Sequence, residues 1–189
     1  PSIPWWIMSA SMTFANQPPM SMGRARMILA HCFLRQKRFL EALALLEQLE
    51  ELYPRRGLWT GRLEAIILRA VCLMRMGDRA KALRELHSAY VMSHQNEIIT
   101  PFVEFGNNMR TLIEMSRKSE DFVFDENWLD LVQQRSSTYA KRLSTVSIEY
   151  STHHRGRGAA VPYLTDREME VLHCLSQGLT REEIAGFLG

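Results

Sequence analysis

Apolar residues recur every three or four positions along most of this chain, the spacing of helices with one face turned inward. Met27, Leu29, Ala30, Phe33 and Leu34 make a first stripe that stops at the polar Gln36-Lys37-Arg38. Leu40, Leu43, Leu46 and Leu49 make a second, closed by Pro54. Ile66, Ala70 and Leu73 form a third, the Gly77-Asp78 pair turns the chain, and Leu83, Leu86, Ala89 and Tyr90 form a fourth. Pro101 then opens a short apolar turn (Phe102, Val103, Phe105) ended by Gly106. A helix with Met109, Leu112, Ile113 and Met115 follows, and Asp125 is placed to cap another through Trp128, Leu131 and Val132 towards Arg142. The pattern predicts an all-α fold.

The first four stripes are two copies of one unit. Laying residues 24–54 over 64–94 pairs Ala25 with Ala65, Ala30 with Ala70, Cys32 with Cys72, Arg35 with Arg75, Ala42 with Ala82, Leu43 with Leu83 and Leu46 with Leu86. A period of ~20–50 residues is that of helical arrays whose units bury their apolar faces against neighbours. Residues 1–15, with Trp5, Trp6, Met8, Met12 and Phe14 before Pro18-Pro19, read as the remnant of a preceding hairpin. Residues 1–143 are thus expected to form one helical-hairpin domain.

Composition shifts from Ser144 to Pro162, where serine, threonine, histidine, arginine and glycine replace the periodic apolar residues. This stretch reads as a basic, flexible linker. Beyond it, residues 163–189 carry two helix starts. Thr165 and Glu168 form a capping box before Val171, Leu172 and Leu175; Gly178 supplies the turn; Thr180 and Glu183 form a second box before Ile184, Ala185 and Leu188. Two pre-capped helices across a glycine turn suit the entry half of a helix-turn-helix, or an ordinary helical hairpin.

Leu164-Thr165-Asp166-Arg167-Glu168-Met169-Glu170-Val171-Leu172, followed by Gly178-Leu179-Thr180-Arg181-Glu182-Glu183-Ile184-Ala185, resembles the DNA-binding head of LuxR-type transcription regulators. Glu41-Ala42-Leu43-Ala44-Leu45-Leu46-Glu47, Gly61-Arg62-Leu63-Glu64-Ala65 and Gly77-Asp78-Arg79-Ala80-Lys81-Ala82-Leu83 are similar to the tetratricopeptide-like arm of the large ATP-binding members, the maltotriose-regulator (MalT-like) kind. Phe102 to Met109 is similar to the segment closing that arm. The resemblance implies a repeat arm that senses an effector, a linker, and a head that binds DNA, with a phosphate contact near Thr180 and Arg181. It also marks two departures. No Gly-x-x-x-x-Gly-Lys-Ser/Thr loop is present, so no ATP or other cofactor is expected here. The family reads bases with a helix that would follow Gly189, so DNA binding is expected only with that helix in place.

Charge agrees with weak DNA binding by the head alone. Residues 164–189 set Arg167 and Arg181 against Asp166, Glu168, Glu170, Glu182 and Glu183, a net −3, within a chain of 23 Lys+Arg and 21 Asp+Glu. Stacked as in tetratricopeptide arms, the hairpins would bring His31, Arg35 and Arg75 to a concave groove for a sugar-like or anionic inducer, or a partner peptide. Cys32, Cys72 and Cys174 are spaced as reduced thiols of a cytoplasmic protein, the first two as packed small hydrophobes. His153-His154 lacks preorganised metal geometry, no residue set supports catalysis, and no apolar run reaches the ~20 residues of a membrane span. Without further helices to cover them, Leu172, Leu175, Ile184 and Leu188 are expected to seek the arm or a second copy of the chain. The competing reading is a tetratricopeptide-like protein-interaction scaffold whose last two helices cap the array.

Overall fold

The computed structural model describes residues 19–53, 59–94, 96–153 and 164–189. The readings made for residues 1–15, Pro54 and 154–162 lie outside them, as do the side chains of His153 and His154. The described residues are helical, with no strand among them: α1 Pro19–Arg35, α2 Phe39–Leu52, α3 Trp59–Met76, α4 Arg79–His94, the single turn α5 Thr100–Val103, α6 Asn107–Ser116, α7 Glu126–His153, α8 Asp166–Gln177 and α9 Arg181–Leu188. No helix among them is long and apolar enough to cross a membrane.

Helices α1/α2 and α3/α4 form two successive hairpins. Ala25 and Ala65, Ala30 and Ala70, Ala42 and Ala82, and Leu46 and Leu86 are buried in both, whereas Arg35 and Arg75 are exposed in both. Small side chains at the matched places let the paired helices approach closely. The match is looser elsewhere: Cys72 and Leu83 are buried where Cys32 and Leu43 are half-buried.

In α2 the buried face is Ala42, Leu45, Leu46 and Leu49, and Leu40 is 70% exposed. At ~100° per residue, leucines spaced strictly by three drift ~60° backwards at every step, so a stripe begun at Leu40 leaves the core. Alternating steps of three and four hold the face inward.

Helix α3 is buried nearly all round, from Leu63 to Leu73, because it serves two cores. Leu63, Ile66, Ile67 and Ala70 join Leu86 of α4, Phe102 of α5, Met109 and Ile113 of α6, and Trp128 and Val132 of α7. Ala65, Leu68 and Cys72 join Phe33 of α1 and Leu46 and Leu49 of α2. Each fully buried leucine, isoleucine or phenylalanine stabilises the fold by ~1.5–3 kcal/mol.

Pro101 starts α5, Gly106 follows at φ 49°, and Asp125 caps α7 by accepting the Asn127 amide at 2.7 Å. Helix α7 then runs to His153, through the first ten residues of the segment read as a linker. Up to Thr145 its hydroxyls fold back on the helix. Ser137 donates to the Gln133 carbonyl, Thr138 to Gln134, and Ser144 and Thr145 both to Lys141. Back-bonding along the helix removes the competition with the backbone that makes serine and threonine loop-forming elsewhere.

Candidate functional site

Both capping boxes at the C-terminal end are formed. The Glu168 carboxylate accepts the Thr165 amide at 2.7 Å while the Thr165 hydroxyl oxygen accepts the Glu168 amide at 3.3 Å. Thr180 and Glu183 repeat the arrangement at 2.7 and 3.2 Å. Between the boxes Gly178 takes φ 88°, and the Leu179 amide donates back to the Cys174 carbonyl, closing α8. Amide donation from Thr165 and Thr180 holds the Glu168 and Glu183 carboxyls below their ordinary range.

The N-terminus of α9 therefore already contains an anion, the Glu183 carboxylate, where a phosphate would be drawn by free amides and the helix dipole. Thr180 spends its amide and hydroxyl on that carboxylate, while Arg181 is exposed. Arg167, the other cation of the segment, is bonded to Glu170 at 3.2 Å and to the Leu188 carbonyl, tying the start of α8 to the end of α9. The two helices leave an open groove of about 440 Å³ between Val171 and Leu175 on one side and Ile184 and Leu188 on the other, with Arg167 and Arg181 also in its lining.

The apolar stripe of this segment is split. Val171 and Leu175 line that groove, but Leu172 belongs to the core of α1, α2 and α3. Helix α8 lies on α1. The Arg26 Nε, on a residue only 8% exposed, donates to the Ser176 carbonyl at 3.0 Å. The rings of Phe33 and His173 stand 5.9 Å apart, and the Arg38 guanidinium covers Phe33 at 4.3 Å. Burial and the neighbouring Arg38 lower the His173 pKa. Of the covers expected for the stripe, the hairpins supply one, for Leu172 in full and for Leu175 at the edge of the same core.

A second cavity, of about 340 Å³, opens between α1, α3 and α5. This is near the lower end of the ~300–1,000 Å³ typical of small-molecule sites. His31 lines it, paired with Glu64 (Nε2 to Oε1, 3.4 Å) and stacked on Phe105 at 5.6 Å between ring centroids. Arg24, Thr60, Gly61 and Glu104 contribute to the same wall. Tyr53 sits between two glycines: its hydroxyl donates to the Gly23 carbonyl at 3.4 Å, and a Cβ on Gly61 would come within 3.0 Å of its ring. Burial chiefly, then the Glu64 carboxylate, raise the phenol to about 12, against an opposing effect of Arg24.

Arg35 and Arg75 are not brought to this cavity; both are exposed at the C-terminal ends of α1 and α3. Of the three residues read from the sequence as a groove, only His31 lines this cavity, and Tyr53, Glu64 and Glu104, which line it too, were not among them. Gly61 was the available signal, a glycine in the first turn of a helix where nothing in the local pattern requires one. Among the described residues, no three His, Cys, Asp or Glu side chains are grouped to hold a metal ion. Compared with known proteins, the chain matches no family model, no curated protein and no solved structure.

Proposed function

We propose that this chain is part of a cytoplasmic, DNA-binding transcription regulator of the LuxR type. In this reading α1–α7 form a tetratricopeptide-like arm that senses an effector or partner, and α8–α9 form the front of a groove-reading head. The regulator works by binding, without catalysis. One observation carries the reading: two capping boxes in tandem across a left-handed glycine, in a segment whose residues follow the family's motif from Leu164 to Ala185. This frame presents Arg181 in the first turn of a helix, where backbone contacts to phosphate are made. Sequence readout belongs to the helix that would follow Gly189.

Fluorescence anisotropy with duplex DNA tests this. The chain as it stands should bind weakly, with little salt dependence. A form extended past Gly189 by a recognition helix should bind with an affinity that falls steeply between about 50 and 200 mM salt. An extended form with no salt-dependent binding would overturn the proposal.

The scaffold reading has one observation of its own, the seating of Leu172 in the hairpin core. A permanent cap on a helical array would be held in this way.

A further inference from the structure

The cavity between α1, α3 and α5 differs in charge from the groove expected of the sequence. Arg35 and Arg75 lie elsewhere, and Glu64 and Glu104 stand with Arg24 and His31 instead. These four side chains line the same space of about 340 Å³. We infer that this cavity binds a basic α-amino acid, the chemistry of free lysine, with its carboxylate on Arg24, its α-ammonium on Glu64 and its terminal ammonium on Glu104.

Helix geometry sets the walls. Arg24, Met27, Ile28 and His31 fall within ~100° of one another around α1, and Thr60, Gly61 and Glu64 within ~100° around α3. Arg24 and His31 are seven residues apart, which puts ~10 Å along α1 between the two ends of that wall. Acidic groups gather at the His31 end. Glu64 Oε1 is 3.4 Å from His31 Nε2, and Glu104 adjoins Phe105, whose ring stacks on His31. Arg24 holds the other end, next to Gly23, whose carbonyl accepts the Tyr53 hydroxyl. Raised first by burial, the Tyr53 phenol is raised further by Glu64 and lowered by Arg24, so both charges reach it along the cavity. The buried Tyr53 ring is in turn hemmed in by Gly23 and Gly61, one from each helix, and forms a fixed floor.

These charges are not spent on one another. Among the described residues Arg24 and Glu104 make no ion pair, and Glu64 keeps one oxygen beyond the one that meets His31. One guanidinium and two carboxylates match one carboxylate and two ammonium groups, each contact a charge-assisted hydrogen bond. A simple anion would meet Glu64 and Glu104 with like charge, and a neutral sugar would compensate none of the three. Met27 and Ile28, between Arg24 and His31 on α1, supply apolar surface for a methylene chain. As an effector site the cavity rests on the reading of α1–α7 as a sensing arm. Binding itself is measured on the chain alone, without DNA, so either can fail while the other holds.

Isothermal titration of the whole chain with L-lysine, cadaverine and L-norleucine tests the inference. Cadaverine lacks the carboxylate, and norleucine lacks the terminal ammonium. Lysine should bind with a Kd below about 1 mM, and each of the other two about tenfold more weakly. Arg24→Ala should weaken lysine about tenfold and leave cadaverine unchanged. Glu104→Gln should weaken lysine and cadaverine alike and leave norleucine unchanged. Both side chains are exposed and outside any ion pair, so the thermal melting of the two variants should match that of the parent chain. No binding of lysine, binding no tighter than that of the two truncated probes, or binding unchanged in both variants would overturn the inference.

Discussion

Lys37 and Gly77 stand forty residues apart at the same place in their hairpins, both with left-handed backbone, φ 62° and 91°. The hydrogen bonds around them are also the same. Arg38 donates to the Phe33 carbonyl and Lys37 to Leu34; Asp78 donates to Leu73 and Gly77 to Met74. Each is the six-to-one and five-to-two pair that closes a helix through one left-handed residue. Glycine accepts that conformation freely and lysine does not. Lys37→Gly should therefore stabilise the protein by about 0.5–1 kcal/mol in chemical denaturation, the relief of strain being partly offset by a more flexible unfolded chain. Gly77→Lys should destabilise it by about 1 kcal/mol. Equal and opposite changes are not required, but opposite signs are.

The hairpins also diverge where α3 carries a half-buried arginine, and a second prediction follows from it. Arg69 of α3 takes the place that Leu29 takes in α1, and its guanidinium bonds both Glu50 of α2 and Glu85 of α4, the latter at 2.6 Å. The side chain is 18% exposed, so the pairs are partly screened by water, and removing the cation should cost about 1–3 kcal/mol, between surface and fully buried pairs. Arg69→Ala and Arg69→Met should both lose stability, since either leaves two carboxylates without their cation. Arg69→Lys should recover only part of it, because an ammonium lacks the planar fork that reaches both partners. Urea denaturation of the three variants gives the order.

What was legible in the sequence was local. The hairpin turns, the caps at Asp125, Thr165 and Thr180, and the turn at Gly178 each depend on residues within a few positions of one another, and the structure forms all of them. Arg26 and Ser176 are separated by 150 positions, and nothing in the periodicity of either segment marks them as partners. The charge of each segment was visible, but a net charge does not name the surface it meets. The reach of α7 to His153 was hidden for another reason: the same serine and threonine hydroxyls serve a loop or a helix, depending on which carbonyl they find. In the cavity between α1, α3 and α5, His31 was placed by its position in the first hairpin. Its partners Glu64 and Phe105 come from a different hairpin and the segment after α5, so only packing brings them together.

The capping boxes give α8 and α9 a dependence on acid. Glu168 and Glu183 are held below the ordinary glutamate range by the amides of Thr165 and Thr180. A depressed carboxyl contributes stability that is present above its ordinary value and is lost as pH falls through its value in the folded chain. Acidification should thus fray the first turns of α8 and α9, read as faster exchange of the amides at their N-terminal ends after correction for intrinsic rates. Thr165→Ala and Thr180→Ala, which remove the hydroxyl but keep the amide, should fray the same turns at neutral pH, whereas the double variant Glu168→Gln with Glu183→Gln, which removes the titrating carboxyls, should flatten the response to acid. An unchanged acid response in the double variant would separate the effect from the boxes.

The three thiols should react in the order of their burial. Cys72 is fully buried on α3, and loss of water around it raises its pKa to about 12, so at pH 8 only about one molecule in ten thousand carries the reactive thiolate even where reagent could reach it. Cys174 of α8 is also buried and raised, chiefly by burial and then by Glu170. Cys32 is half-buried; burial raises it, and Arg35 works in the opposite sense. Labelling with a disulfide reagent should therefore reach Cys32 first and Cys72 last, with Cys72 reacting at the rate of global unfolding because α3 is shared by both cores. Denaturant below the unfolding transition should accelerate Cys32 and Cys174 while leaving Cys72 untouched. Early labelling of Cys72 would show that the hairpins separate before the molecule unfolds, contrary to a central helix that belongs to both.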